Sequence, residues 1–139
     1  MSAELMRDIV AGFARSDLRP LLDALHDDVV WKSASRHGGP FSFDGEHRNR
    51  AGVREVLSNI AKDYTFHRME PKEVVAADDV VWGCFDVALS YDAKGKGIDP
   101  VPVAFEVAIR WRMKDGKIIE HQAFFDTAHL LMKQKEAQA

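Results

Sequence analysis

The hydrophobic residues of this chain change their spacing near residue 61, and this change limits the folds that the sequence can adopt. Before it, apolar residues recur every three or four positions, which is typical of amphipathic helices. After it, apolar and polar residues alternate along two long segments, as in antiparallel strands with one buried face. Helices first and strands afterwards predict an α+β protein in which the helices cover one face of a sheet.

Three helices are predicted in the first half of the chain. The first covers about residues 5–13, and the second begins at about Asp17 with Pro20 in its first turn, where the missing N–H costs little. The third begins at Asn49, a suitable cap residue. Between the second and third helices the sequence predicts a short strand ending at Trp31, followed by a loop over residues 35–44.

Strands are predicted at residues 73–76, 81–91, 105–113 and 118–125. A long hairpin connection over residues 92–102 joins the second and third of them, and a tight Lys-Asp-Gly-Lys turn at 114–117 leads into the last. Residues 128–135 are predicted to form a terminal helical turn or tail. A sheet of such long, twisted strands curves around the helices and leaves an apolar mouth, a common place for a small-molecule site.

Length and composition exclude several classes of function. The 139 residues are enough for one domain, and the formal net charge of -3 disfavours nucleic acid as a partner. No apolar run approaches the length of a membrane span, so no membrane partner is expected. Cys84 is the single cysteine and the N-terminus has no export-signal layout, which together predict a cytoplasmic protein. The histidines lack metal-site spacing, so neither a metal nor a cofactor is predicted.

Four short segments run in order across nearly the whole chain. They are S-D-L-R-P-L-L at 16–22, H-D-D-V-V-W at 26–31, G-E-H-R-N-R at 45–50 and K-D-G-K-I-I-E-H at 114–121. Together they resemble the nuclear transport factor 2-like superfamily, in its SnoaL-like and ketosteroid-isomerase-like branch. The resemblance implies a single SnoaL-like domain over residues 1–139, in which three N-terminal helices pack in a strongly curved antiparallel sheet, a cone-shaped half-barrel. It also implies a pocket for a small apolar molecule and a homodimer, which we expect to form through the outer sheet face.

The fold of that superfamily hosts many functions, so each known activity requires its own residues at matching positions of this chain. Ketosteroid isomerases place three proton-exchanging groups where this chain has Ile9, Ser33 and Val107, so a typical isomerase of that kind is not expected. Limonene-epoxide-hydrolase-like enzymes place a last-strand aspartate where this chain has Ala123. SnoaL-like polyketide cyclases place an acid–base carboxylate late in the last strand, where Asp126 is the nearest match.

Alternation along the last predicted strand separates pocket residues from outer-face residues. His121 shares a face with Ala123 and Phe125 and is predicted to lie inside, as a general base or a hydrogen-bond donor. A core histidine with one satisfied hydrogen bond is the alternative. Asp126 falls on the outer face and reaches the pocket only if the strand ends or bulges after Phe125. The residues predicted to contact a ligand are Phe13, Trp31, Ser33, Leu57, Val107, Trp111 and Phe125.

Two main functions stay open at the level of sequence. The first is a cofactor-independent cyclase, isomerase or hydrolase that acts on a small apolar substrate, with His121 and Asp126 as its acid–base pair. The second is a non-catalytic carrier or dimerisation module of the same fold. A third hypothesis is a protein-interaction adaptor, because Trp82 and the arginines of strand 105–113 are predicted to share the outer sheet face.

Overall fold

A computed structural model of the chain describes residues 2–92, 97 and 99–138. The helices within these residues are α1 (Ser2–Ala11), α2 (Arg19–Ala24), α3 (Asn49–Asp63) and α4 (Thr127–Gln138), with a 3-10 turn at Gly12–Arg15. The strands are β1 (Leu25–Lys32), β2 (Glu46–Arg48), β3 (Tyr64–Ala77), β4 (Val80–Tyr91), β5 (Val101–Lys114) and β6 (Lys117–Phe125). The described helices include none long and apolar enough to cross a membrane.

The strands form one curved sheet in the order β2-β1-β6-β5-β4-β3. Neighbouring strands are antiparallel except β1 and β6, which run parallel. The hairpin between β5 and β6 turns at Asp115 and Gly116, whose φ angles of 53° and 74° are those of a tight two-residue turn. The predicted α+β half-barrel is therefore confirmed, with one parallel strand pair in its otherwise antiparallel sheet.

Helices α1 and α3 fill the concave face of this sheet. Met6 and Val10 of α1, and Val53 and Val56 of α3, are fully buried. Gly83 of β4 makes the close approach of α1 possible, because a Cβ at this position would lie only 2.6 Å from Sδ of Met6. Any side chain at position 83 would therefore require the Met6 side chain or the Phe85 ring to shift.

Three elements differ from the sequence prediction. Strand β3 begins at Tyr64 rather than near residue 73, because bulges between Phe66 and Arg68 and between Pro71 and Glu73 break its alternation. The short strand β2 was not predicted, since three residues carry too little pattern. The predicted tail is the 12-residue helix α4. Part of the predicted connection over 92–102, residues 93–96 and 98, lies outside the described residues.

Candidate ligand-binding site

A largely apolar cavity of about 120 Å³ lies between the helices and the concave face of the sheet. Five of the residues predicted to contact a ligand line it, namely Phe13, Trp31, Ser33, Val107 and Phe125. The lining includes no Lys, Arg, Asp or Glu side chain among the described residues. Its polar groups belong to Trp31, Ser33, Tyr64 and His121. The cavity therefore offers hydrogen bonds but no formal charge.

Two residues expected to contact a ligand lie elsewhere. Leu57 is a buried core residue that lines a second cavity, beside α3 and the 3-10 turn, instead of the first. Trp111 is only 1% exposed and lies behind the cavity wall. Its position follows from the size of the indole ring, which fills the core where β5 meets β6 and so leaves none of its surface in the cavity. Neither residue lines the first cavity.

His121 lies in β6 between two tryptophans on the neighbouring strands. Its register partners are Trp31 of β1 and Trp111 of β5, so the three rings stand in one row on the inner face. The Trp31 and His121 rings are stacked, with their centroids 3.5 Å apart and an interplanar angle of 8°. Packing from both sides leaves His121 only 5% exposed, at the cavity wall. The predicted inward position of His121 is thus the observed one.

The hydrogen bond of His121 defines its chemistry. The indole N–H of Trp111 donates to Nδ1 over 2.9 Å. Nδ1 therefore acts as the acceptor, and the ring proton of the neutral imidazole lies on Nε2. Burial lowers the pKa of His121 from 6.5 to about 3, so the ring is neutral at physiological pH. Because Trp111 occupies the lone pair of Nδ1, this imidazole has an N–H on Nε2 that can donate a hydrogen bond and no free lone pair that could take up a proton.

Asp126 does not join His121. Its side chain is exposed, and Oδ1 accepts a hydrogen bond of 3.0 Å from the backbone N–H of His129. Asp126 thus caps the first turn of α4, which is the usual role of an aspartate at this position. The structure therefore does not bring the two residues of the expected acid–base pair together, because β6 ends at Phe125 and Asp126 caps the start of α4. Among residues 2–92, 97 and 99–138, no group of three His, Cys, Asp or Glu side chains is placed to hold a metal ion.

The loop between β1 and β2 forms one wall of the cavity through Ser33 and Phe43. The hydroxyl of Ser33 is engaged with this loop, since it accepts a 3.0 Å hydrogen bond from the N–H of Gly45. Asp44 accepts a 2.8 Å hydrogen bond from the N–H of Phe41 through Oδ2. Its Oδ1 is enclosed without a hydrogen-bond partner among the described residues. Burial raises the pKa of Asp44 despite the hydrogen bonds that lower it.

Tyr64 is a second wall residue that the sequence did not reveal, because it begins the part of β3 that was not predicted. Its hydroxyl donates a hydrogen bond to Oε1 of Gln134 on α4, and both residues are buried. Burial raises the pKa of Tyr64, so the phenol stays protonated. Leu130 of the same helix lines the cavity. Helix α4 therefore closes one side of the site.

The outer face of the sheet carries an apolar patch, which consists of Val75, Trp82 and Phe124. These side chains are 65%, 41% and 41% exposed, and the rings of Trp82 and Phe124 are stacked with centroids 6.0 Å apart. The Arg110 guanidinium lies 5.7 Å from the centre of the Trp82 ring.

An ion-pair network borders this outer patch. Glu120 accepts hydrogen bonds from Arg110 over 2.9 Å and from Lys32 over 3.3 Å. Burial raises the pKa of Glu120, but the two cations outweigh burial and hold the pKa below its ordinary value. The outward position of Arg110 and the cross-strand ion pairs agree with the alternation of β5.

Comparison with known proteins identifies the family. The sequence profile of the SnoaL-like domain matches residues 6–121. Among curated proteins, no sequence matches this chain.

Solved structures share the fold at low sequence identity. A candidate isomerase from Rhodopseudomonas palustris is 19% identical with a TM-score of 0.74, over 95% of this chain and 93% of that one. TerC, crystallised with polyporic acid, is 21% identical with a TM-score of 0.75, over 95% and 96% of the two chains. A candidate polyketide cyclase from Pseudomonas putida is 17% identical with a TM-score of 0.75, over 96% and 97%. The profile match runs from α1 to His121 and agrees with this fold, and the chain therefore belongs to the SnoaL-like family.

Proposed function

We propose that this protein binds a small neutral molecule in the cavity, and that the Nε2–H of His121 donates a hydrogen bond to an oxygen of that molecule. The observation that carries the proposal is the hydrogen bond from Trp111 to Nδ1. It fixes the proton on Nε2, and this N–H forms no hydrogen bond with a described residue. Among the described residues, Nε2 is not one of the enclosed polar atoms that lack a partner, so it is open to the cavity. A hydrogen bond between neutral groups contributes about 0.5–1.5 kcal/mol, so an oxygen that enters the cavity gains about this much from His121.

The chemistry of the lining favours a neutral ligand. The described lining has no cation or anion, and His121 is uncharged because burial depresses its pKa. An ion transferred from water into such a site loses its hydration without gaining a counter-charge, which costs several kcal/mol. A ketone, aldehyde, ester or ether oxygen accepts the hydrogen bond without this cost.

Binding is tested with neutral ketones and two substitutions at the same position. In His121→Gln the side chain amide can still accept from Trp111 and donate to a ligand, whereas His121→Phe has neither ability. We expect His121→Phe to bind a given ketone about tenfold more weakly than wild type, and His121→Gln to lie between them. Isothermal titration measures the affinities, and near-UV circular dichroism checks the fold. Equal affinity in wild type and His121→Phe contradicts the proposal.

We also propose that two copies of the chain associate through the outer patch of Val75, Trp82 and Phe124. Isolated apolar residues on a surface need no explanation, but three that share one sheet face point to an interface. Register places Val75 beside Trp82 and Trp82 beside Arg110 in one row across the sheet.

A further inference from the structure

We infer that the cavity selects a ligand with a single ring and one carbonyl oxygen, and that Phe13, Ile60, Tyr64 and Phe66 form the wall that excludes molecules with more rings. This inference rests on the proposed function and adds to it the size and chemical class of the ligand. It is carried by the volume of the cavity and by a second cavity behind that wall.

The volume limits the ligand first. A cavity of about 150 Å³ lined by apolar side chains holds one benzene molecule. The cavity beside His121 has about 120 Å³, a similar size, which suits about one ring and not two fused rings. Aromatic rings dominate its wall, and the centroids of Phe105 and Phe125 lie 5.0 Å apart. Such a wall offers edge and face contacts to a further flat ring.

The second cavity shows what sets the limit. It has about 250 Å³ and lies beside α3, the 3-10 turn and the start of β3. Phe13, Ile60, Tyr64 and Phe66 line both cavities and therefore stand between them. The rings of Phe13 and Phe66 are in contact, with centroids 6.0 Å apart. Space for a larger molecule thus exists next to the site, and these side chains separate it from His121.

The substituent follows from the hydrogen-bond donors of the lining. The Nε2–H of His121 forms no hydrogen bond with a described residue, nor does the indole N–H of Trp31, whose ring is stacked on His121. One carbonyl oxygen accepts from His121 and keeps a second lone pair for a further donor. A carboxylate oxygen would accept from His121 as well, but the described lining has no positive charge to stabilise it.

Two matched series of compounds test the inference on the intact chain. Benzaldehyde, 2-naphthaldehyde and 2-anthraldehyde vary the number of rings with the same oxygen. Toluene, benzaldehyde and benzoate vary the oxygen on the same ring. We expect wild type to bind benzaldehyde at least tenfold more tightly than every other compound. In Phe66→Ala the two cavities join, so the preference for benzaldehyde over 2-naphthaldehyde should fall at least tenfold. If Phe66→Ala does not fold, Ile60→Ala opens the same wall with a smaller loss of core volume.

The outcomes separate this inference from the proposed function. Binding of 2-naphthaldehyde or 2-anthraldehyde at least as tight as that of benzaldehyde in wild type, with a loss in His121→Phe, overturns the ring limit and leaves the proposed function standing. If Phe66→Ala or Ile60→Ala folds and keeps the wild-type preference for benzaldehyde over 2-naphthaldehyde, the wall does not set the ring limit. Tight binding of benzoate overturns the argument that a lining without positive charge rejects a carboxylate. Failure of all three aldehydes to bind overturns the inference together with the proposed function.

Discussion

The indole N–H of Trp111 and Nδ1 of His121 are 2.9 Å apart across the β5–β6 pair, and this contact decides which nitrogen of the imidazole faces a ligand. Without it, a buried neutral histidine would be free to place its proton on either nitrogen. With it, Nδ1 is an acceptor already in use and Nε2 is the donor. A fully buried residue outside the cavity therefore sets the chemistry of a residue at its wall.

Replacing Trp111 by Phe should allow His121 to adopt both neutral tautomers. The variant leaves Nδ1 buried without a donor, and we expect a loss of about 1–3 kcal/mol in the free energy of unfolding, with a further loss from the smaller ring. Long-range ¹H–¹⁵N NMR spectra should show a pure Nε2–H tautomer in wild type and a mixture in Trp111→Phe. The double variant Trp111→Phe/His121→Phe, in which neither polar group remains, serves as the control and should recover part of the lost stability. An Nδ1–H tautomer in wild type would contradict the assignment.

The free energy of unfolding should decrease as the pH is lowered, because of His121. Its folded pKa of about 3 lies below the ordinary 6.5, so the unfolded chain binds more protons in this interval. The stabilising contribution is complete above pH 6.5 and is lost as the pH falls towards 3, by up to about 5 kcal/mol. Urea unfolding at a series of pH values measures it. His121→Gln is the matched control, because the other five of the six histidines remain and Gln does not titrate. Parallel curves for the two proteins would show that His121 is not the cause.

The sequence predicted the inner face of the sheet because β4 and β5 alternate through most of their length, and it placed Arg110 outwards for the same reason. β6 is less regular, since His121 and Gln122 are both buried, but His121 still lies inwards with Ala123 and Phe125. It missed Tyr64, since bulges shift the register of β3 and remove the alternation on which such a prediction depends. It also could not place Trp111 relative to the cavity, because alternation gives the face of a side chain but not its depth.

Loop and tail residues were harder to predict for a related reason. Asp44 lies in a loop whose conformation depends on backbone hydrogen bonds to Phe41 and Gly45, which no periodicity records. Helix α4 buries mainly Leu130 and Gln134, so its apolar face is too narrow for a helical pattern to stand out. The candidate pairing of His121 with Asp126 came from the resemblance to SnoaL-like polyketide cyclases, whereas in this chain the turn into α4 makes the Asp126 carboxylate a helix cap.

The hydrogen bond between Tyr64 and Gln134 should hold α4 against the cavity. In Tyr64→Phe the buried Oε1 of Gln134 loses its donor, and we expect α4 to be destabilised by about 1–3 kcal/mol. Amide hydrogen exchange should then be faster in α4 than in β4 and β5. In the double variant Tyr64→Phe/Gln134→Leu both polar groups are replaced by apolar ones, so the protection of α4 should return. Unchanged exchange in Tyr64→Phe would mean that Leu130 alone holds the helix.

Association through the outer patch is tested by removing its rings. We expect wild type to have twice the mass of one chain in light scattering at micromolar concentration. Aromatic residues at the centre of an interface commonly contribute about 2 kcal/mol or more each, so Trp82→Ala/Phe124→Ala should weaken association at least 100-fold. Met132→Ala is the matched control, because Met132 is 63% exposed but lies on α4, away from the sheet face. A wild type with the mass of one chain, or a double variant that still associates, would exclude the patch as the interface. Retained binding of a ketone by the double variant would show further that the cavity acts within a single copy of the chain, since Trp82 and Phe124 lie on the opposite face of the sheet from His121.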